Sequence, residues 1–233
     1  MTLPRYPEYR ASGVEWLGEV PAHWGFGPLG HFLSRSDSGA WGSEDDPEGT
    51  VVLRSTNQTA DGKWCLAEPA RRILSARERS LTRLDLGDLL MTKSSGSFLH
   101  IGKTTYVDLQ IAALNAGYSN FMQRLRCGVK LDPKFSYWFL NSALSREQFS
   151  VLATTSTGLG NLNRSVISSV QVTAPPLPEQ HAIVAYLDRE TARIDELTAK
   201  VEQAIELLGE YRTALITAAV TGQVDVRRPV EAW

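Results

Sequence analysis

Hydrophobic and polar positions follow two different patterns along this chain of 233 residues. In residues 1–174, short apolar runs alternate with turn residues such as Asp61-Gly62, and 16 of the 18 glycines lie in this part. Short β-rich runs bounded by Gly, Pro, Asn and Asp are typical of strands joined by turns. The pattern predicts strands near residues 50–53, 84–91, 103–107, 121–125 and 166–172.

A helix is predicted in the same part of the chain, from Pro133 to Leu152. Asp132 is a residue type that caps helices, and proline suits the first helical position. Apolar residues then recur at near-helical spacing: Phe135, Trp138, Phe139, Leu140, Leu144 and Phe149. Strands together with one helix predict an α+β globular domain with a mixed or mostly antiparallel sheet.

The second pattern begins after a proline-rich connector, residues 174–180 (APPLPEQ). Prolines cannot continue a sheet ladder, and each forces the residue before it to be extended. From Glu179 to Ala219 there is no proline and one glycine among strong helix formers. We therefore expect three regions: a globular domain at 1–174, the connector and a long C-terminal helix at 175–221, and a tail at 222–233.

The long helix carries a heptad repeat. With Leu187 at position a, the residues at a and d are apolar or aromatic except Glu190. Five such heptads are the signature of a left-handed coiled coil, and about forty helical residues make a rod of roughly 60 Å. No second long helix is evident in the sequence, so we expect the partner helix to come from another molecule. The alternative is a helix that lies on its own domain. The expected dimerisation residues are Leu187, Ile194, Leu197, Val201, Ala204, Leu208, Tyr211 and Leu215.

Charge divides the chain at Pro176. Residues 1–176 hold 18 Lys and Arg against 16 Asp and Glu, a net of +2, and residues 177–233 hold 6 against 10, a net of −4. A mildly basic domain fits a DNA binder that needs other subunits to hold the phosphates, because affinity for DNA depends largely on counterion release. No apolar run reaches the length of a membrane span, and Cys65 and Cys127 stand apart from any metal-binding pattern. We expect a cytoplasmic protein with reduced thiols, no membrane contact and no metal or other cofactor.

Four segments of the chain resemble the specificity subunit of type I restriction–modification systems. They are residues 9–24 (YRASGVEWLGEVPAHW), 156–164 (STGLGNLNR), 175–180 (PPLPEQ) and 183–216, which contains LDRETARID and YRTALI. Their order and spacing match the family over nearly the whole chain. The resemblance implies a target recognition domain that reads double-stranded DNA. It also implies a spacer helix that docks methyltransferase (modification) subunits, with the restriction subunit as a further candidate partner.

One departure from the family concerns length. Members usually carry two recognition domains and two spacer helices in about twice this length, and this chain has one of each. We expect a half-length or truncated subunit that restores the arrangement by pairing, with itself as a homodimer or with another specificity subunit. A two-fold dimer would read a split palindromic site, because protein symmetry is mirrored in the DNA.

Three polar segments are candidates for DNA contact, because Arg, Lys, Asn, Gln, Ser and Thr on loops read bases and hold phosphates. One follows an apolar run and offers Lys93, Ser94, Ser95, Ser97, His100 and Lys103; its alternative is a solvated hairpin. Another comprises Arg54, Ser55, Thr56, Asn57 and Gln58, with an Asx-type turn as the alternative. A third, in a glycine-containing loop that could approach a phosphate or simply be structural, offers Thr155, Thr157, Asn161, Asn163 and Arg164.

No catalytic constellation is evident in the sequence. A DNA methyltransferase would need a glycine-rich cofactor loop and an Asn-Pro-Pro-Tyr-type motif. Residues 25–30 (GFGPLG) imitate the glycine pattern, but no convincing strand precedes them and Pro28 disfavours the turn into a helix. The sequence therefore predicts a non-catalytic subunit and leaves two hypotheses. It is a DNA-reading specificity subunit, or a truncated interaction module that binds methyltransferase subunits without productive DNA recognition.

Overall fold

The computed structural model describes residues 4–96, 100–156 and 159–227. The chain divides into two compact units, Met1–Val184 and Ala185–Trp233. In its described part, the first unit holds every strand and the first five helices; the sixth helix begins in it and continues into the second unit. The predicted boundary at 174/175 marks a change in composition, whereas the first compact unit extends to Val184.

Fourteen strands and six α-helices occur among the described residues. The strands are β1 Tyr9–Ala11, β2 Glu19–Pro21, β3 Gly25–Pro28, β4 Leu33–Ser38, β5 Asp45–Leu53, β6 Ala70–Arg72, β7 Leu89–Thr92, β8 Ser94–Ser95, β9 Thr104–Tyr106, β10 Gly117–Tyr118, β11 Met122–Cys127, β12 Thr154–Ser156, β13 Leu159–Asn161 and β14 Gln171–Ala174. The helices are α1 Ala76–Thr82, α2 Leu109–Ala113, α3 Pro133–Leu140, α4 Ala143–Leu152, α5 Arg164–Ser169 and α6 Leu177–Val220.

A four-stranded antiparallel sheet lies at the centre of the first unit, in the order β4-β11-β7-β9. Its strand β7 is buried on both faces. Leu89 and Met91 pack into one apolar cluster with the helices α3 and α4, while Leu90 packs into a second cluster around Tyr118 and Met122. A strand with core on both sides needs a continuous apolar run rather than an alternating one. This explains why β7 consists of three consecutive large apolar residues and a buried threonine.

A three-stranded sheet in the order β10-β5-β6 supports the second cluster. Its β10–β5 pair is parallel, with Tyr118 beside Leu53, and its β5–β6 pair is antiparallel. The remaining pairs in the described part, β1–β2, β3–β14, β12–β13 and β13–β8, are antiparallel. The prediction of a mixed or mostly antiparallel sheet is therefore confirmed.

The predicted helix from Pro133 to Leu152 is two helices, α3 and α4. Its start is as predicted: the Asp132 side chain accepts a hydrogen bond from the Phe135 backbone N–H, with proline at the first helical position. The chain breaks after Leu140, where Ser142 caps α4 by accepting from the Ser145 N–H. Ser142 is in the extended conformation, so the helix ends before it and a new helix begins after it.

Two predicted strands are shorter than expected. The strand expected at 84–91 begins at Leu89, because residues before it form a turn in which Asp88 N–H donates to the Asp85 carbonyl and Gly87 has a φ of +86°. The strand expected at 166–172 is helix α5 followed by β14, because Asn163 caps a short helix at that point. In both places local hydrogen bonds of a polar side chain, Asp88 in the first and Asn163 in the second, shorten the strand.

The long helix is present as predicted, over Leu177–Val220. Its first turn is fixed to the first unit by Gln180, whose side chain is fully buried. The Gln180 amide nitrogen donates to the carbonyls of Lys130 (3.0 Å) and Pro175 (2.7 Å), and its oxygen accepts from the Asp132 N–H (2.7 Å). The fold is thus an α+β mixed-sheet domain followed by a long helix, as the sequence predicts.

Candidate nucleic-acid interface

Strand pairing joins two of the three polar segments singled out in the sequence. Strand β8 pairs with β13, so that Ser94 lies opposite Asn161. The Ser94 hydroxyl donates a 2.7 Å hydrogen bond to Asn161 Oδ1, and the Leu162 N–H donates to the Lys93 carbonyl at 2.7 Å. Segments more than 60 positions apart along the chain therefore form one continuous polar edge.

A cleft of about 420 Å³ opens at this edge. Its walls come from β4, α1, β11, the residue between β7 and β8, and the chain from the end of β13 to the start of α5. The lining residues are mostly hydrogen-bonding side chains: Ser36, Asp37, Ser38, Leu81, Lys93, Gln123, Asn161, Asn163 and Arg164. Such a mixture of amides, hydroxyls and cations is the side-chain set that contacts bases and phosphates in DNA complexes.

Lys93 supplies a positive charge at the cleft and is half-buried. Its ammonium group donates a 2.6 Å hydrogen bond to the Ser38 hydroxyl. Burial of the ammonium group lowers the pKa of Lys93 below the ordinary value for lysine. The backbone N–H of Lys93 donates to the carbonyl of Phe121, so main chain and side chain are both held in place.

Arg164 is the second cation of the cleft, and it is exposed. It also borders a smaller cleft of about 70 Å³ together with Arg35, Ser34 and Ser36. The preceding residue, Asn163, accepts a hydrogen bond from the Val166 N–H and caps α5, so it also has a structural role. Arg164, Arg35 and Lys93 thus line two adjoining clefts. Positive charge distributed in this way attracts a phosphate backbone.

The cleft also contains residues that the sequence did not single out. Asp37 accepts a 2.5 Å hydrogen bond from the buried Arg124 guanidinium, and the Gln123 amide donates to the Ser36 hydroxyl at 3.0 Å. The signal that could have found them is the run of polar residues in β4 and the polar pair at the start of β11, where Gln123 lies opposite Ser38 and Arg124 lies opposite Asp37. Asp37 places one negative charge among the cations of the cleft.

The segment 54–58 lies mostly inside the domain. Asn57 is 2% exposed and Gln58 is 4% exposed. Asn57 accepts from the Arg54 N–H and donates to the Cys65 carbonyl, which is the turn-stabilising role named as the alternative. Gln58 donates to the Leu90 carbonyl at 2.6 Å and accepts from the Thr92 hydroxyl at 2.7 Å. Neither side chain is open to a duplex in this structure, so we leave both out of the proposed interface.

Lys103 is likewise buried, at 2% exposure. Its ammonium group donates to the carbonyls of Ser55 (2.9 Å) and Gln58 (2.7 Å). Desolvation by burial, with repulsion from Arg146, lowers the pKa of Lys103. A buried ammonium group that donates to two main-chain carbonyls stabilises the segment that carries those carbonyls, here Ser55 to Gln58. We assign Lys103 that structural role.

The other predicted contacts have mixed positions. Thr56 is exposed, while Arg54, Ser55, Ser95 and His100 are partly exposed. Arg54 donates to the Glu68 carbonyl at 3.1 Å. Thr155 lies in β12 opposite Gly160 of β13. Ser97 and Thr157 lie outside the described residues.

The second unit carries the helix residues predicted for dimerisation, and we call the apolar stripe that they form the helix seam. Within it, the side chains at Ile194, Leu197, Val201, Leu208, Tyr211 and Leu215 are between 50% and 67% exposed, Ala204 is exposed and Leu187 is half-buried. Flanking residues Ile205 and Leu207 add to the same apolar face. An exposed apolar stripe of this length is typical of helix surfaces that pack against another helix.

No three His, Cys, Asp or Glu side chains come together as a metal-binding group in the ranges that the structure describes. In the described helices, no stretch is long and apolar enough to cross a membrane.

Comparison with known proteins gives a consistent match. A family model described as the type I restriction modification DNA specificity domain matches residues 78–207. The StySPI specificity subunit of Salmonella potsdam is 27% identical over 135 residues, 58% of this chain and 28% of the relative. The EcoKI specificity subunit of Escherichia coli strain K12 is 28% identical over 137 residues, 59% of this chain and 29% of the relative. This chain therefore matches less than a third of the length of these curated relatives.

Solved structures show the same fold. One, described as the structural basis of complex assembly and conformational transition of the type I R-M system, has a TM-score of 0.64 at 18% identity and covers 91% of this chain and 48% of that one. The HsdS subunit from Thermoanaerobacter tengcongensis has a TM-score of 0.57 at 15% identity, covering 91% of this chain and 52% of the other. At these identities the likeness concerns the fold alone.

Proposed function

The chain belongs to the type I restriction modification DNA specificity domain family, and on that premise we propose that its first unit reads a DNA sequence. The observation that carries the proposal is the cleft in which Lys93, Asn161 and Arg164 lie together. These residues come from two distant segments, and their meeting concentrates base-reading and phosphate-holding groups on one surface.

The groups of the cleft divide by chemistry. Arg164 and Arg35 are exposed cations suited to phosphate oxygens, which position a protein on the duplex without reading sequence. Asn161, held by Ser94, offers an amide of the kind that pairs with adenine in the major groove. The carboxylate of Asp37 accepts a hydrogen bond from Arg124 through Oδ2, and its Oδ1 is suited to accept one from the amino group of cytosine.

The second part of the proposal concerns pairing. This chain contributes one recognition unit and one helix with an exposed heptad face. We propose that this face packs against the same helix of a second copy, or of another specificity subunit, as a coiled coil. A symmetric pair would then read two half-sites of a split, palindromic sequence.

The third part concerns the complex. We propose that the paired helices dock methyltransferase subunits, with a restriction subunit as a further partner, and that this chain contributes no catalytic group. The net charge of +2 for residues 1–176 is small for a DNA binder, which favours shared phosphate contacts with such partners. The expected cytoplasmic location is a prediction of the same proposal.

A second candidate is an interaction module that occupies methyltransferase subunits without productive DNA recognition. It is favoured by the exposed apolar seam, which needs no DNA to explain it, and by the negative charge of Asp37 inside the cleft. The two candidates share the helix and differ in what the cleft does.

Selection from random-sequence duplexes separates the two. The full chain with its methyltransferase subunit would be incubated with a duplex library at moderate salt, and bound DNA would be sequenced. The DNA-reading proposal expects a split consensus that is lost in an Asn161→Ala, Arg164→Ala double variant and kept in Lys130→Ala, which removes an exposed cation elsewhere. Stable complex formation without any enriched sequence would support the interaction module and contradict the DNA-reading proposal.

A further inference from the structure

We infer that Phe121 is an apolar base contact of the cleft edge, placed to touch the methyl group of a thymine in the major groove. The inference rests on the proposed DNA-reading function and adds one specific contact to it. Phe121 is 48% exposed, more than any other aromatic residue in the described part of the first unit. Isolated exposed apolar side chains are common, so the case depends on how this one is held and on what surrounds it.

The backbone of Phe121 is fixed from two sides. The Met122 N–H donates to the Ser119 carbonyl at 2.9 Å, so Phe121 lies in a tight turn between β10 and β11. The Phe121 carbonyl accepts from the N–H groups of both Lys93 (3.0 Å) and Ser94 (3.3 Å). A backbone held in this way loses little further freedom on binding, which favours a specific contact at this position.

The hydrophobic core does not explain the phenylalanine. The residues beside this turn, Tyr118 and Met122, are fully buried in the second apolar cluster. The core is thus filled by its neighbours, and an exposed polar residue would serve the turn equally well. The adjacent Asn120 is such an exposed polar residue.

Phe121 lies beside the polar edge of the cleft. It is bonded through its carbonyl to Lys93, which lines the cleft, and to Ser94, which holds Asn161. Gln123, two positions along the same chain segment, also lines the cleft. Phe121 is thus linked to the cleft edge twice, through the bonds to its carbonyl and through the turn that leads into β11.

An aromatic ring next to hydrogen-bonding side chains fits the edge of one base in particular. Thymine presents an acceptor, O4, directly beside its C5 methyl group in the major groove, and apolar side chains contact that methyl. A protein partner would instead favour a broader apolar patch, whereas the described surface residues that adjoin Phe121 in sequence or bond to its carbonyl are the polar Asn120, Lys93 and Ser94. The surroundings therefore favour DNA as the occupant.

The test uses the full chain with its methyltransferase subunit and the consensus duplex obtained by selection. Each thymine of the consensus is replaced singly by deoxyuridine, which removes only the methyl group, and binding is measured by fluorescence anisotropy. We expect one thymine at which the replacement weakens binding about fourfold, the effect of losing one buried methyl group. That sensitivity should disappear in Phe121→Ala, persist in part in Phe121→Leu, and remain in full in Leu114→Ala, an exposed apolar residue elsewhere in the unit.

Each other outcome is distinct. A consensus without a methyl-sensitive thymine, or equal sensitivity in Phe121→Ala and the unchanged chain, overturns the inference and leaves the DNA-reading function standing. Loss of methyltransferase binding in Phe121→Ala with an unchanged base preference overturns it in favour of a protein contact. Failure to select any sequence overturns the inference together with the function on which it rests.

Discussion

The ammonium group of Lys93 donates a 2.6 Å hydrogen bond to the hydroxyl of Ser38, linking the end of β7 to the end of β4. The bond fixes a positive charge at the cleft instead of leaving it on a freely moving side chain. The burial that accompanies it lowers the pKa of Lys93. The charge is therefore lost at a lower pH than that of an exposed lysine, whose pKa is about 10.4.

DNA affinity should consequently decline as the pH rises from neutrality toward about 10. Deprotonation of Lys93 removes a cation from the cleft, and a lowered pKa brings that loss to lower pH. A Lys93→Arg variant keeps its proton throughout, so its affinity should change less over the same range. Binding of one duplex, measured by anisotropy at constant ionic strength, checks this. Superimposable pH profiles for the two proteins would contradict the prediction.

Arg164→Ala should weaken DNA binding by about 1.5 kcal/mol, or roughly tenfold, through loss of a charge-assisted contact to phosphate. It should also make the slope of log affinity against log salt shallower by about 1. The measurement is a salt titration of the complex. Lys130→Ala removes the same formal charge from an exposed position outside the cleft and serves as the control. An equal loss in both variants would mean that only net charge matters.

Lys103→Met should lower the free energy of unfolding by about 1 to 3 kcal/mol, because two buried carbonyls lose their donor. The base preference of the protein should stay the same. Urea unfolding of the full chain and selection from random duplexes measure the two effects. Lys130→Met, at an exposed lysine, should leave stability nearly unchanged. A stable Lys103→Met protein with an altered consensus would return Lys103 to the DNA interface.

Ile194→Glu combined with Val201→Glu should abolish self-association, because burying unpaired charges in a helix seam costs several kcal/mol. The matched control is Ala192→Glu with Ala199→Glu, which adds the same charge to the helix face away from the heptad a and d positions. Light scattering at tens of micromolar gives the mass of each protein. A monomeric unchanged chain would rule out self-pairing and leave pairing with another specificity subunit to be tested.

Much of the fold could be predicted from local patterns. The Asp132 cap with Pro133 behind it, the long helix and the mixed sheet all follow from residues close together in sequence. The break at Ser142 was missed because a serine cap inside a regular apolar pattern is a weak signal beside the spacing of Phe139, Leu144 and Phe149. Local polar bonds, which sequence patterns record poorly, decided that boundary.

The cleft could be predicted only in part. Lys93, Asn161 and Arg164 were identified as polar residues in loops, and strand pairing then brought them together. Asp37 and Gln123 were missed because their meeting depends on pairing of β4 with β11, more than 80 positions apart. Buried polar groups such as those of Gln58 and Lys103 look the same in sequence as exposed ones, since burial is a property of the folded chain.

The pairing of β8 with β13 has a consequence for anyone who wishes to change which DNA sequence this protein recognises. The segments around Lys93 and Asn161 share main-chain hydrogen bonds and one side-chain bond, although they are far apart in sequence. Transplanting one of them from a relative with a different target would leave the other pairing with an unfamiliar strand. Exchange of specificity should therefore succeed when both segments are grafted as a single cassette, and a library for directed evolution should vary them together.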